Sequence, residues 1–90
     1  KFEPRFNRLA MDCCPRRDST LHCEVDTERY IKLVRGKRNK VVIIMQDSVL
    51  EVYVNDQVAM SARMFDHKKG EFGIYTNNTT ATFKNIVVKE

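Results

Sequence analysis

The chain has 90 residues and a mass of 10.6 kDa, which is enough for one small domain with a barely sufficient core. Hydrophobic residues make up 42% and charged residues 31%, with a net charge of +4, so the balance is globular rather than disordered. The longest apolar run, Val41 to Met45, is far short of the roughly 20 residues of a membrane span, and with no Trp a deep stacking groove is disfavoured.

Short β-branched and aromatic runs alternate with turn residues from Thr20 onward, and no segment has a helical period. Residues 1–19 are less regular, although Phe2, Phe6 and Leu9 could form an edge strand. We predict strands near residues 20–26, 29–35, 39–46, 48–54, 58–64, 71–76 and 80–89. This spacing is typical of an all-β, antiparallel β-sandwich of jelly-roll or concanavalin A-like type. We therefore expect a single domain over residues 1–90, with residues 20–90 rich in strands.

The apolar pattern also predicts which strands are covered. Val41 to Met45 is apolar on both parities, which favours a central strand with both faces buried. Near the end of the chain the apolar parity switches, which predicts a β-bulge at Lys84-Asn85. The surplus of apolar positions, notably Val41 to Met45, predicts a surface patch that a parent domain covers. Because the chain begins at Lys1 without an initiator Met, we expect it to be a piece of a longer protein.

The hairpin around Asn55 allows its register to be predicted. A two-residue loop would mix apolar and polar side chains on both faces, whereas the three-residue loop Asn55–Gln57 pairs Val54 with Val58. The longer loop then collects one apolar face and sets Glu51 within reach of Arg63 on the polar face. Such loops usually end with a residue in the left-handed region, so we expect Gln57 there and a small gain in stability from Gln57→Gly.

Half of the basic residues lie in two stretches, Arg16-Arg17 and the set Arg29, Lys32, Arg35, Lys37, Arg38 and Lys40. A basic stretch can be a phosphate footprint, but Lys and Arg also protect exposed strand edges and loops. At this density we favour solvated edges, and we expect neither a nucleic-acid partner nor a membrane partner.

The cysteines and histidines offer little metal chemistry. Their spacing contains no Cys-x-x-Cys pair, so we expect no metal and no cofactor. An odd number of cysteines leaves at least one thiol unpaired, which leans toward a reducing, cytoplasmic compartment. Two overlapping glycosylation patterns in Asn77–Thr80 favour secretion instead, so the compartment stays open. The residues concerned are Cys13, Cys14, His22, Cys23 and His67.

One group of carboxylates has an enzyme-like spacing. Glu24, Asp26 and Glu28 alternate along a predicted strand end and resemble the E-x-D-x-E motif of family 16 glucanases. Alternate side chains share a face, and the outer pair would lie within the range of a glycosidase nucleophile and acid/base. We favour a solvent-facing strand end that enters a turn at Thr27, because 90 residues without a Trp cannot build a long sugar cleft.

Residues 41–90 resemble the C-terminal β-sandwich of glycoside hydrolase family 32, which contains invertases, levanases and inulinases. The resemblance is carried by IIMQDSVLEVYVNDQVAMSARMFD and GEFGIYTNNTTATFKNIVVKE. Two positions depart from the family pattern: Gln46 stands where it has an Asp, and Gln57 stands where it has a turn Gly. The matching positions, which we expect to be structural, are Ser48, Glu51, Tyr53, Asn55, Asp56, Arg63, Phe65 and Gly73.

The resemblance implies a function for the whole protein rather than for this segment. In that family the catalytic carboxylates lie in an N-terminal five-bladed propeller, and the sandwich packs on the propeller. We therefore expect a non-catalytic accessory domain of an enzyme acting on sucrose or fructans, with no catalytic residue of its own. Its partners would be the propeller of the same chain and, weakly, carbohydrate. The alternatives are a free-standing lectin-like carbohydrate-binding module and, third, a minimal family 16-type glucanase.

Overall fold

The computed structural model describes residues 1–11, 27–63 and 70–89, and within them the protein is all-β. Two antiparallel three-stranded sheets are present, with the strand orders β1-β2-β3 and β4-β5-β6. A 3-10 helix over Pro4–Phe6 separates the first two strands. The strands are β1 Phe2–Glu3, β2 Arg8–Met11, β3 Thr27–Tyr30, β4 Val41–Gln46, β5 Val49–Val54 and β6 Val58–Arg63.

The two sheets share one small core. Leu9 from β2 and Ile31 after β3 pack with Val54 and Met60 from the second sheet. Met11, Leu33, Val52 and Val58 pack around this cluster. The sheets thus form an antiparallel β-sandwich, and the predicted fold class is confirmed.

The hairpin between β5 and β6 follows the predicted register. Val54 is paired with Val58, and a three-residue loop lies between them. The inner face is apolar and better buried than the outer one, with Val54 fully buried and Met60 4% exposed. Because register follows the apolar pattern wherever one face is buried, this pairing could be predicted from the sequence.

The conformation of the turn differs from the prediction. The left-handed residues are Asn55 (φ 56°) and Asp56 (φ 53°), and Gln57 is not among the residues with positive φ. The Gln57 N–H donates to the Val54 carbonyl at 3.0 Å. Positive φ at both central residues is the pattern of a type I′ turn, which Asn and Asp tolerate. The expected left-handed conformation of Gln57 is therefore wrong, and Gln57→Gly loses its reason to stabilise, because the positive φ angles belong to Asn55 and Asp56.

β4 is an edge strand, not the central strand that its composition predicts. Its pairing within the described residues is with β5 alone, and all six of its residues are exposed. Met45, for example, is 55% exposed. The apolar run is long enough for a buried strand, but the described part of the domain supplies no layer on either side of it. The predicted exposed apolar patch is therefore present at these residues.

The C-terminal segment also departs from the prediction. Residues 70–89 contain no strand, whereas strands are predicted over 71–76 and 80–89. The predicted bend at Asn77-Asn78 is present, with Asn78 at φ 55°. Asn85 (φ 55°) interrupts the extended backbone where a β-bulge is predicted, but without a ladder there is no bulge. A strand forms only where a second strand satisfies its backbone groups, and none does so here.

Smaller differences concern the first sheet. Phe2 and Leu9 lie in paired strands, whereas Phe6 lies in the 3-10 helix between them. The third strand begins at Thr27, where a turn is predicted, and it ends at Tyr30 rather than near residue 35. The predicted strand 20–26 lies outside the described residues. Within the described part of the chain, no helix is long and apolar enough to cross a membrane.

Candidate functional site

Two of the motif positions join the turn before β5 to the end of β6. Asp47 (φ 54°) and Ser48 connect β4 to β5, and Ser48 is buried. An Arg63 guanidinium N–H donates to the Ser48 hydroxyl oxygen at 2.9 Å. The predicted contact between Arg63 and Glu51 is absent among the described residues, because Arg63 reaches along β5 to this turn instead. The bond ties together three strands that are consecutive in the chain.

Two further motif positions lie on the outer face of β5. The Tyr53 hydroxyl donates to a Glu51 carboxylate oxygen at 2.8 Å. This hydrogen bond, and then the negative charge of Glu51, raise the pKa of the Tyr53 phenol. Residues two apart on a strand share a face, so the contact follows from the extended backbone. Glu51 also stands directly opposite Ser61 on β6.

The turn residues Asn55 and Asp56 form a third group. The Asn55 amide oxygen accepts a hydrogen bond from the Lys40 N–H at 2.8 Å, and its amide nitrogen donates to the Asn39 side-chain oxygen at 2.9 Å. The Lys40 ammonium lies 3.6 Å from the Asp56 carboxylate, with both side chains exposed. Asn55 therefore holds the chain that enters β4 against the turn that leaves β5.

A shallow polar groove lies where β3 meets β5 and β6, with a volume of about 270 Å³. Glu51, Tyr53 and Ser61 contribute its wall from the second sheet, and Thr27 and Arg29 contribute the other wall. The residues that line the groove thus include one aromatic, one acidic and one basic residue, together with Thr27 and Ser61.

One carboxylate of the glucanase hypothesis, that of Glu28, is engaged in an ion pair although it is exposed. Glu28 accepts a hydrogen bond from Arg8 at 2.6 Å, and Arg8 also donates to Glu3 at 2.9 Å. Glu24 and Asp26 lie outside the described residues. Arg8 further lies over the Phe6 ring, 4.9 Å from its centroid. Glu28 is therefore engaged in an ion-pair cluster that holds the first sheet together. The hydrogen bonds that Arg8 donates to Glu3 and Glu28 raise the pKa of Arg8.

The remaining predicted positions are divided between described and undescribed residues. Phe65 and the cysteines and histidines of the disfavoured zinc site, Cys13, Cys14, His22, Cys23 and His67, lie outside the described residues. Gly73 is described, and a Cβ built there would meet nothing within 4 Å. No group of three or more His, Cys, Asp or Glu side chains that could hold a metal ion occurs within residues 1–11, 27–63 and 70–89.

Sequence reasoning missed three contributors to these contacts. Arg8 was not singled out, although its two ion pairs join β2 to both of its neighbours. Asn39 falls only at the start of a predicted strand and Lys40 only in a basic stretch, yet both contact Asn55. A pattern search could have found Asn39, because Asn side chains commonly bond to backbone and amide groups beside turns.

The comparisons with known proteins agree with this architecture. The family model described as "Glycosyl hydrolases family 32 C terminal" matches residues 10–90, which extends well upstream of the resemblance over 41–90. Neither a curated protein nor a solved structure matches the chain significantly. The family match includes the β4-β5-β6 sheet with its Ser48–Arg63 and Glu51–Tyr53 contacts. The chain belongs to the family of C-terminal domains of glycoside hydrolase family 32.

Proposed function

We propose that this domain is the non-catalytic support of a catalytic propeller in the same chain, in an enzyme acting on sucrose or fructans. The observation that carries the proposal is the apolar surface of residues 70–89. Seven large apolar side chains there are exposed, although the family match runs through all of them. They are Phe72, Ile74, Tyr75, Phe83, Ile86, Val87 and Val88.

An exposed apolar surface of this kind fits a contact with another domain. Val88 is 77% exposed, and the two apolar residues before it, Ile86 and Val87, are also exposed. Burying such apolar surface would stabilise the protein by roughly 25 cal/mol of free energy for each Å² removed from water. Contiguous apolar surface is a common mark of an interaction site. A propeller packed on this segment would cover these side chains and could supply the missing strand partners.

The motif positions take structural roles in this proposal. Ser48, Arg63, Asn55 and Asp56 bond within or next to the two turns of the β4-β5-β6 sheet. The two carboxylates among the described motif positions are both engaged, Glu51 by Tyr53 and Asp56 by Lys40, so they do not form a free pair for glycosidase chemistry. In this proposal the motif residues therefore stabilise the domain that supports the propeller, and they take no part in catalysis.

The test uses the parent enzyme and the 90-residue chain side by side. Val88→Lys should lower the melting temperature and activity of the parent but change the stability of the isolated chain little. Lys84→Ala is the matched exposed control, and it should change neither protein. Equal effects of Val88→Lys on both proteins would contradict a domain contact at this segment.

A second assay addresses catalysis directly. The isolated chain should hydrolyse neither sucrose nor inulin nor β-glucans. Turnover that is abolished by Glu28→Gln, or by Glu24→Gln, would overturn the accessory role and revive the glucanase alternative.

Weak carbohydrate contact is a second candidate function, and the groove at Tyr53 favours it. Its ring, carboxylate, guanidinium and hydroxyls can together stack on and hydrogen-bond a sugar unit. Titration with a fructo-oligosaccharide, followed by NMR, should shift the resonances of Glu51, Tyr53 and Ser61. Tyr53→Ala should abolish the shifts, whereas Tyr75→Ala, at an exposed ring outside the groove, should leave them unchanged. Binding by the isolated chain that equals binding by the parent would favour the lectin-like alternative.

A further inference from the structure

We propose that two copies of the chain associate by antiparallel, edge-to-edge pairing of their β4 strands, Val41–Gln46. The inference is independent of the proposed function, because it concerns the edge of the second sheet and not residues 70–89. It rests on the hydrogen-bonding direction and the composition of this strand and on the charges of the residues that flank it.

The backbone groups of β4 alternate between its partner strand and its edge. Lys40 is turned toward β5, because its carbonyl accepts from the Asn55 N–H at 2.9 Å and its N–H donates to the Asn55 side chain. In an antiparallel ladder every second residue points the same way. Val42, Ile44 and Gln46 therefore face β5, while the N–H and C=O groups of Val41, Ile43 and Met45 point to the edge. Among the described residues, no strand pairs with that edge.

The composition of β4 leaves this edge unprotected. The strand reads VVIIMQ and contains no charge and no proline. Natural proteins usually protect an edge with charged side chains, proline, a bulge or a covering loop. All six residues of β4 are exposed, and five of them are large and apolar. Such an edge is a template for another strand, and its apolar side chains add burial on both faces.

A second copy of the same strand fits this edge. With Ile43 opposite Ile43 of the other copy, Val41 stands opposite Met45 at both ends of the pairing. The outward-pointing groups of one copy then meet those of the other, as an antiparallel ladder requires. The pairing is isologous, so it closes as a two-fold dimer instead of growing into a fibre.

Charge favours the antiparallel direction. The strand is flanked by Lys40 on one side and Asp47 on the other. In the antiparallel dimer, the basic end of each strand lies beside the acidic end of the other. A parallel alignment would instead set Lys40 beside Lys40, with Arg38 and Lys37 close behind. Opposite charges at the two ends therefore favour the antiparallel direction over the parallel one.

Sedimentation equilibrium of the 90-residue chain should detect a reversible dimer. Ile43→Pro removes an edge-facing N–H without removing a bond to β5, and proline is tolerated on edge strands. We expect it to weaken dimerisation at least about tenfold, with an unchanged circular dichroism spectrum. Ile44→Ser is the matched control on the same strand, because it keeps every backbone donor and should dimerise much more tightly than Ile43→Pro.

Cross-linking tests the register without relying on the proline variant. In a background with Cys13, Cys14 and Cys23 changed to Ser, Ile43→Cys should form a disulfide-linked dimer on oxidation. Ile44→Cys should not, because the two copies of residue 44 would be offset by two residues, roughly 7 Å along the strand. A chain that stays monomeric at high concentration, or a dimer in which both variants cross-link equally, would overturn the proposal.

Discussion

The β4-β5-β6 sheet and the C-terminal segment 70–89 differ in structure, although the sequences of both regions predict β-strands. Both contain runs of β-branched and aromatic residues separated by Asn-containing turns. Residues 41–63 form two complete hairpins, whereas residues 70–89 contain no strand. Left-handed Asn residues occur in both regions, at Asn55 in the first and at Asn78 and Asn85 in the second. Turn chemistry and strand propensity are therefore not sufficient, and the difference lies in what each segment pairs with.

Each hairpin strand finds its partner within a few residues, so closing the loop costs little entropy. The pairing then buries Val54 and Met60 against the first sheet. Residues 70–89 have no such neighbour among the described strands, and their apolar side chains stay in contact with solvent. Local pairing and a shared core thus allow residues 41–63 to form strands, whereas residues 70–89 would need a further surface to pair with and pack against.

The largest expected effect comes from removing the core of the paired region. Met60→Ala should lower the free energy of unfolding by about 3 kcal/mol, because it leaves a cavity in a small core. Met45→Ala is the matched control, since Met45 lies in the same sheet but is 55% exposed. That variant should cost less than about 0.5 kcal/mol. Urea denaturation of the isolated chain measures both, and equal costs would show that the core does not centre on Met60.

Asn55 and Asn78 are both left-handed, and they allow a direct comparison of the two regions. Asn55→Ala should cost about 1–2 kcal/mol, since it removes two side-chain hydrogen bonds and puts a Cβ at positive φ. Asn78→Ala makes the same change at φ 55°, but in a segment that can relax, so it should cost less than about 0.5 kcal/mol. Thermal unfolding in the isolated chain would separate them. A larger cost at Asn78 would mean that the C-terminal segment is held more firmly than its contacts indicate.

Glycine substitutions in the turn between β5 and β6 should have smaller effects on stability, and one of them should be stabilising. Asp56→Gly should stabilise the chain by about 0.5 kcal/mol, because Asn-Gly is the preferred pair for a type I′ turn. Gln57→Gly should instead destabilise it by about 0.5 kcal/mol, since Gly adds entropy to the unfolded chain without relieving a positive φ. The Lys40–Asp56 pair is exposed and its loss should not reverse the sign. Two stabilising variants would restore Gln57 as the left-handed residue.

The smallest effect concerns the outer face of the same sheet. The Glu51 carboxylate raises the pKa of Tyr53, so Glu51→Gln should move that pKa back toward its ordinary value. A raised pKa means that the contact stabilises the folded state below the ordinary tyrosine pKa and that this contribution is lost as pH rises through the raised value. Spectrophotometric titration at alkaline pH measures the change. Glu71→Gln is the matched control and should leave the Tyr53 titration where it is.

Much of the second sheet could be predicted from the sequence. The alternation of apolar residues around Asn55 is strict enough that only one register buries a continuous face, and the structure has that register. The motif positions Ser48 and Arg63 could be recognised, but not their mutual contact, because the long Arg63 side chain has several partners within reach. Arg8 could not be recognised at all, since its partners Glu3 and Glu28 come together only when β2 pairs on both sides.

The sequence alone is enough to predict the all-β class, the family and the local pairing of residues 41–63. These follow from side-chain alternation and turn residues, which act over short distances along the chain. The tertiary structure is needed to see that Val41–Gln46 is an exposed edge and that residues 70–89 form no strand. A strand's position in a sheet depends on which other strands are present to share its hydrogen bonds. The apolar composition of a strand shows that burial would stabilise it, but the surrounding strands determine whether it is buried.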